Sequence, residues 1–75
     1  MAYEKMTCRI EGMACTGCAG GIERSIGKLD GVQSIEVDFG AGRASIIYAP
    51  ERTNCDKLAD AIRSMGYDVD EVRAE

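Results

Sequence analysis

Three short stretches of the chain alternate between apolar and polar residues, which is the pattern of a strand with one buried face. In residues 6–11 every second residue is apolar, and a glycine follows. Residues 32–39 and 44–48 alternate on either side of Gly40-Ala41-Gly42, which predicts a hairpin that ends at Pro50. The residues expected on the buried face are Met6, Cys8, Ile10, Val32, Ile35, Val37, Phe39, Ala44, Ile46 and Tyr48.

Two other stretches carry apolar residues at helical spacing. The first predicts a helix that stops at Asp30-Gly31, where the glycine can take a left-handed cap. The second begins after Thr53 or Asn54, either of which can cap it, and ends at Gly66. The buried stripes are expected to be Cys18, Ile22, Ile26 and Leu29 in the first helix, and Cys55, Leu58, Ile62 and Met65 in the second.

The order of these elements predicts the fold. Tyr67, Val69 and Val72 supply a last strand, so the order is strand, helix, strand, strand, helix, strand. That order indicates an α+β, ferredoxin-like βαββαβ fold, with two helices on one face of a four-stranded antiparallel sheet. We expect one domain over residues 1–75, with a core at about 6–72. A domain of this size has a thin core, so every large apolar residue is expected to be used in it.

The amino-acid composition excludes several classes of function. The chain has no histidine, which excludes His-ligated metal sites and Ser–His–Asp or Cys–His catalysis, and we expect no enzyme activity. A net charge of −4 argues against a nucleic-acid partner. No apolar run approaches the roughly 20 residues of a membrane span, and the N-terminus lacks a signal-peptide pattern. We therefore expect a cytoplasmic protein that does not insert into membranes and whose thiols stay reduced.

A C-x-x-C motif, formed by Cys15 and Cys18, lies where the first helix begins. Unpaired N–H groups and the helix dipole at that position favour thiolate over thiol. Two thiolates suit a soft ion, Cu(I) or equally Hg(II), whereas structural Zn(II) takes four protein ligands. A two-coordinate ion is open to a third sulfur, so it can pass between proteins by ligand exchange.

The motif alone leaves other interpretations open. Two cysteines in a turn can be ordinary small residues, or the redox pair of a thiol–disulfide oxidoreductase. For the second function the chain is short, and its one proline is predicted at a strand end rather than facing the pair. Cys8 and Cys55 are expected to be small core residues, with a second metal site or a mutual disulfide as the alternatives.

The longer pattern is more specific than the motif. GMACTGC, followed by IERSIGKLDGV, YAP and LADAIRSMGYDV, resembles the heavy-metal-associated domain family over about residues 7–69. Within that family it is most similar to small bacterial copper chaperones and to the N-terminal metal-binding domains of copper-transporting P-type ATPases. The resemblance implies that Cys15 and Cys18 are the metal ligands. It also implies that Met13 packs beneath the loop and supports it, and that Tyr67 approaches the site and screens it.

The same resemblance implies a function. It predicts a Cu(I) chaperone that passes copper by thiolate exchange to the N-terminal domain or membrane entry site of a copper-transporting P-type ATPase, and it allows a metal-bridged homodimer. The alternatives are an Hg(II) carrier domain and a regulatory metal-binding domain of a copper ATPase.

The sequence departs from the family pattern in two places. Ala14 stands where Thr or Ser is common and where zinc-exporting relatives carry Asp, which disfavours Zn(II). Gly20-Gly21 replaces residues that are often Lys or Ala, and each glycine weakens a helix. We hypothesise that the weaker first turn makes Cys18 more mobile and metal exchange faster.

Overall fold

The predicted order of strands and helices is present in the computed structural model, which describes residues 2–13 and 16–74. The strands are β1 (Glu4–Glu11), β2 (Val32–Asp38), β3 (Arg43–Tyr48) and β4 (Asp68–Ala74), and the helices are α1 (Thr16–Gly27) and α2 (Cys55–Arg63). The strands form one antiparallel sheet in the order β2-β3-β1-β4. The ferredoxin-like fold is therefore confirmed.

The core lies between the sheet and the two helices. The inward residues of the central strands β1 and β3 alternate as predicted and are at most 3% exposed. They pack against apolar residues of α1 and α2, so each helix contributes one buried stripe. The largest fully buried side chains are Met6, Cys8, Ile22, Ile26, Ile46, Leu58 and Ile62.

Four residues predicted to be buried lie instead at the surface, with between 36% and 39% of their area exposed: Leu29, Phe39, Met65 and Val72. In three of the four cases, the regular element ends before the residue is reached. α1 ends at Gly27 and α2 at Arg63, so each helix ends before the last residue predicted for its apolar stripe. β2 ends at Asp38, and Gly42 N–H donates to Asp38 O across the turn that contains Phe39. The expectation that every large apolar residue enters the core was therefore wrong.

Both edge strands contain a β-bulge. On β2, Val32 pairs with Tyr48 and Ile35 with Ile46, so four residues of β2 lie opposite three of β3. The bulge explains why two apolar residues three positions apart can share one face of a strand.

The second bulge lies on β4. Between Val69 and Ala74, β4 has one residue more than the segment of β1 with which it pairs. Glu71, in this stretch, adopts a positive φ of 49°. Val72 belongs to this irregular stretch of an edge strand, which accounts for its exposure. The Glu71 carboxylate lies 3.8 Å from Arg9 and 3.6 Å from Arg43, two arginines that are direct cross-strand neighbours. Their like charges share this carboxylate, although pairs this exposed contribute little to stability.

Gly31 makes the turn from α1 into β2 possible. Its φ is +91°, and a Cβ added there would lie 2.8 Å from Arg52 Cβ. Its carbonyl accepts a hydrogen bond from Ala49 N–H at 2.7 Å. At α2, the Asn54 side chain caps the helix by accepting from Lys57 N–H at 2.9 Å, as the sequence allowed. Neither helix of the described chain is long and apolar enough to cross a membrane.

Candidate metal centre

The C-x-x-C segment joins the end of β1 to the beginning of α1. We call residues 12–18 the metal loop. Cys18 is the third residue of α1, and its thiol is half-buried and not part of a disulfide. Cys15, the other predicted ligand, and Ala14 lie outside the described residues. The structure thus places Cys18 in the first turn of a helix, as predicted from the sequence.

The start of α1 provides a local environment that favours negative charge. A helix N-terminus exposes backbone N–H groups and the positive end of the dipole. The first turn of α1 carries no acidic residue that would oppose this effect. The surroundings of Cys18 therefore suit a thiolate ligand.

Met13 and Tyr67 are the two residues to which the resemblance gives supporting roles. Both side chains are partly buried and pack against the core. The Tyr67 ring lies beside Gly12. A Cβ built on Gly12 would be 3.6 Å from Tyr67 Cδ1. Gly12 has a φ of +100°, a conformation that suits glycine, and it directly follows the last residue of β1. Tyr67 is thus packed at the base of the metal loop.

The turn between α2 and β4 carries Tyr67 and is held by Arg63. The Arg63 guanidinium donates from Nη2 to Val69 O at 2.9 Å and from Nη1 to Asp60 Oδ1 at 3.3 Å. No pattern in the sequence distinguishes Arg63 from the other basic residues. A basic residue in the last turn of a helix usually complements the helix dipole. The sequence gives no sign that this one also contacts the next strand.

Cys8 and Cys55 lie apart from the metal loop. Cys8 is fully buried, and burial raises the pKa of its thiol, which keeps it neutral as a small apolar residue. Cys55, at the start of α2, is half-buried, and its Sγ lies 3.3 Å from the Tyr48 hydroxyl, a hydrogen bond in which either group can donate. That bond raises the pKa of Tyr48 to about 12.

The alternatives expected for Cys8 and Cys55 are a mutual disulfide and a second metal site. Both are free thiols, so they form no disulfide with each other. Over residues 2–13 and 16–74, no three Cys, Asp or Glu side chains are close enough together to hold an ion. The prediction that both residues serve packing is confirmed for Cys8, and Cys55 packs against the edge of the same core.

Comparison with known proteins agrees with the geometry. The chain is 38% identical over 66 residues to the copper chaperone CopZ of Bacillus subtilis, a match that covers 88% of this chain and 96% of CopZ. It is 40% identical over 68 residues to a copper-exporting P-type ATPase of Staphylococcus aureus strain Newman, covering 91% of this chain and 8% of the ATPase.

A solved structure has the same architecture. It is the Cu(I)-loaded N-terminal domain of a potential copper-translocating P-type ATPase from Bacillus subtilis. The two align with a TM-score of 0.86 at 32% identity, covering 91% of this chain and 85% of that one. The heavy-metal-associated domain itself matches residues 6–68, from the middle of β1 to the start of β4. With the fold, the position of Cys18 and these matches in agreement, the chain belongs to the heavy-metal-associated domain family.

Proposed function

We propose that this protein is a cytosolic Cu(I) chaperone, without enzyme activity, whose one domain spans residues 1–75. Cys15 and Cys18 bind the ion, and a copper-transporting P-type ATPase receives it. The observation that carries the proposal is the position of Cys18 in the first turn of α1, three residues after the other cysteine of the C-x-x-C motif. The 38% identity to the copper chaperone CopZ of Bacillus subtilis, along 88% of this chain, supports the proposal.

The chemistry follows from ligand number and softness. Cu(I) prefers thiolates and is stable with two of them. A thiolate of the acceptor's own C-x-x-C joins as a third ligand, one donor cysteine then leaves, and a second exchange completes the transfer. Each leaving thiolate takes up a proton and each incoming thiol loses one, so the ion moves without a change of oxidation state.

Met13 and Tyr67 support the site in this proposal without binding copper. Met13 anchors the loop to the core by its half-buried side chain, and Tyr67 lies against Gly12 at the base of the loop. Both contacts hold the start of the metal loop, at Gly12 and Met13, against the rest of the domain. A metal-bridged homodimer is a second state of the same site, since thiolates of another copy can serve as the additional ligands.

Metal titration under reducing conditions tests the proposal. The wild-type protein should bind one Cu(I) tightly and Zn(II) weakly, and X-ray absorption should find two sulfur ligands. The Cys15→Ala, Cys18→Ala double variant should lose Cu(I) binding, whereas a Cys55→Ala control should keep it. Tight binding by the double variant would refute the ligand assignment.

Delivery requires a separate measurement. Copper-loaded protein is mixed with the isolated N-terminal domain of a copper ATPase, and the copper content of both is followed after separation. Copper should move to the acceptor, and an acceptor without its cysteines should receive none. The same assay with Hg(II)-loaded protein and a dithiol acceptor tests the alternative of an Hg(II) carrier.

A further inference from the structure

The Arg63 side chain ties the end of α2 to the beginning of β4. Arg63 is the last residue of α2, and Val69, whose carbonyl it contacts at 2.9 Å, is the second residue of β4. Asp60, one helical turn earlier, accepts from the same guanidinium at 3.3 Å and fixes its orientation. The planar guanidinium can serve both partners at once, because its N–H groups are arranged as a fork.

The backbone of the intervening turn is bonded to α2. Ser64 N–H donates to Asp60 O at 2.9 Å, Met65 N–H to Ile62 O at 3.1 Å and Gly66 N–H to Arg63 O at 2.9 Å. These three bonds run back along the chain, whereas the Arg63 side chain reaches forward to the strand. The guanidinium therefore fixes the distance between helix and strand across the turn.

Tyr67 lies between the two ends of this connection. It follows the turn, precedes Val69 by two residues and packs beside Gly12 at the base of the metal loop. Val69 in turn is the cross-strand neighbour of Ile10, two residues before Gly12. A shift of β4 relative to α2 would change how the Tyr67 ring sits on Gly12.

We propose that Arg63 is a positioning residue for the base of the metal loop: its bond to Val69 O holds Tyr67 against Gly12, and this contact slows release of the ion. The inference rests on the proposed function, since it assigns the metal to this loop. Arg63 itself touches neither Gly12 nor the metal in this proposal, and it acts through Tyr67.

Arg24 provides a matched control. Like Arg63, it is an exposed arginine in the last turn of its helix, so both complement a helix dipole. No hydrogen bond or ion pair of Arg24 occurs among the described residues. Replacing each arginine with Gln removes the same charge, and only Arg63→Gln removes the connection to a strand.

The experiment has two readouts. In the metal-free, reduced protein, the NMR cross-relaxation peak between the Tyr67 ring and the Gly12 α protons should weaken in Arg63→Gln and persist in Arg24→Gln. With Cu(I) bound, release to the chromogenic chelator bicinchoninate should be about fivefold faster in Arg63→Gln, the population change that one net hydrogen bond typically makes. Arg24→Gln should release at the wild-type rate.

A purely structural role predicts a different result. If Arg63→Gln lowers the melting temperature but its peak and release rate match those of Arg24→Gln, the inference is overturned. If Arg63→Gln does not fold, Arg63→Lys replaces it. That variant keeps the charge but cannot bond Asp60 and Val69 in the same geometry, so an unchanged peak overturns the inference equally. Failure of the wild-type protein to bind Cu(I) would refute the proposed function. The Tyr67–Gly12 peak of the metal-free protein would then be the only test of whether Arg63 positions Tyr67.

Discussion

Replacing Gly20 and Gly21 with alanine should stabilise the protein, because neither glycine is needed for packing. Both lie in α1, and a Cβ added at either position meets no atom outside its own helical surroundings within 4 Å. Each glycine in a helix interior costs about 1 kcal/mol relative to alanine. With no clash to offset that gain, the double variant should gain about 2 kcal/mol of unfolding free energy.

Thermal unfolding of the metal-free, reduced protein measures this gain. For a domain of this size, about 2 kcal/mol corresponds to a rise in melting temperature of roughly 8–16 °C. Gly31→Ala is the matched control, since it adds the same methyl group at a φ of +91° and at 2.8 Å from Arg52 Cβ. It should lower the melting temperature. A double variant no more stable than the wild type would refute the assumption that the glycines only weaken α1.

The same variant tests the exchange hypothesis. If the ion leaves from a state in which α1 is open as far as the turn that contains Gly20 and Gly21, stabilising the helix by about 2 kcal/mol should slow Cu(I) transfer, by up to roughly thirtyfold. Transfer to a copper-ATPase domain, followed by the copper content of donor and acceptor, gives the rate. A more stable variant with an unchanged transfer rate would show that exchange does not require opening of this turn.

Two further predictions concern the buried polar groups. Because the folded-state pKa of Tyr48 is raised from 10.0 to about 12, its stabilising contribution is complete below about pH 10 and is lost as the pH rises through 12. Tyr48→Phe should lose this alkaline destabilisation, and the late step in a tyrosinate absorbance titration should disappear. Burial and a raised pKa should protect the Cys8 thiol, so iodoacetamide should label Cys18 well before Cys8 in the folded, metal-free protein. Equal labelling rates would contradict this.

Local patterns in the sequence were sufficient to predict the buried faces of the two central strands, β1 and β3. The alternation in β1 and β3 predicted which residues are buried, because both strands are covered on one face by helices along their length. On the edge strands the pattern was harder to interpret. The apolar residues Val32 and Ile35 are three positions apart, and only the bulge in the register against β3 makes that spacing compatible with one face.

The ends of elements depended on more than the pattern. Leu29 and Met65 continue the helical spacing of their stripes, yet both helices end before reaching them. Apolar periodicity describes which face a residue would occupy if the helix continued. Where the helix stops is decided by how the following turn is bonded and packed, which involves residues elsewhere in the chain, as at Gly31 and Arg52.

The sequence by itself determined the chemistry of the candidate site: one C-x-x-C motif, no histidine, and a helix that begins at the motif. These are properties of neighbouring residues, so no tertiary information was needed. The tertiary structure alone decided which distant residues meet beside the start of the loop, since Tyr67 contacts Gly12 and Arg63 contacts Val69 only after α2 and β4 pack beside β1. Contacts between distant parts of the chain depend on strand order and register, and a single sequence pattern does not encode those locally.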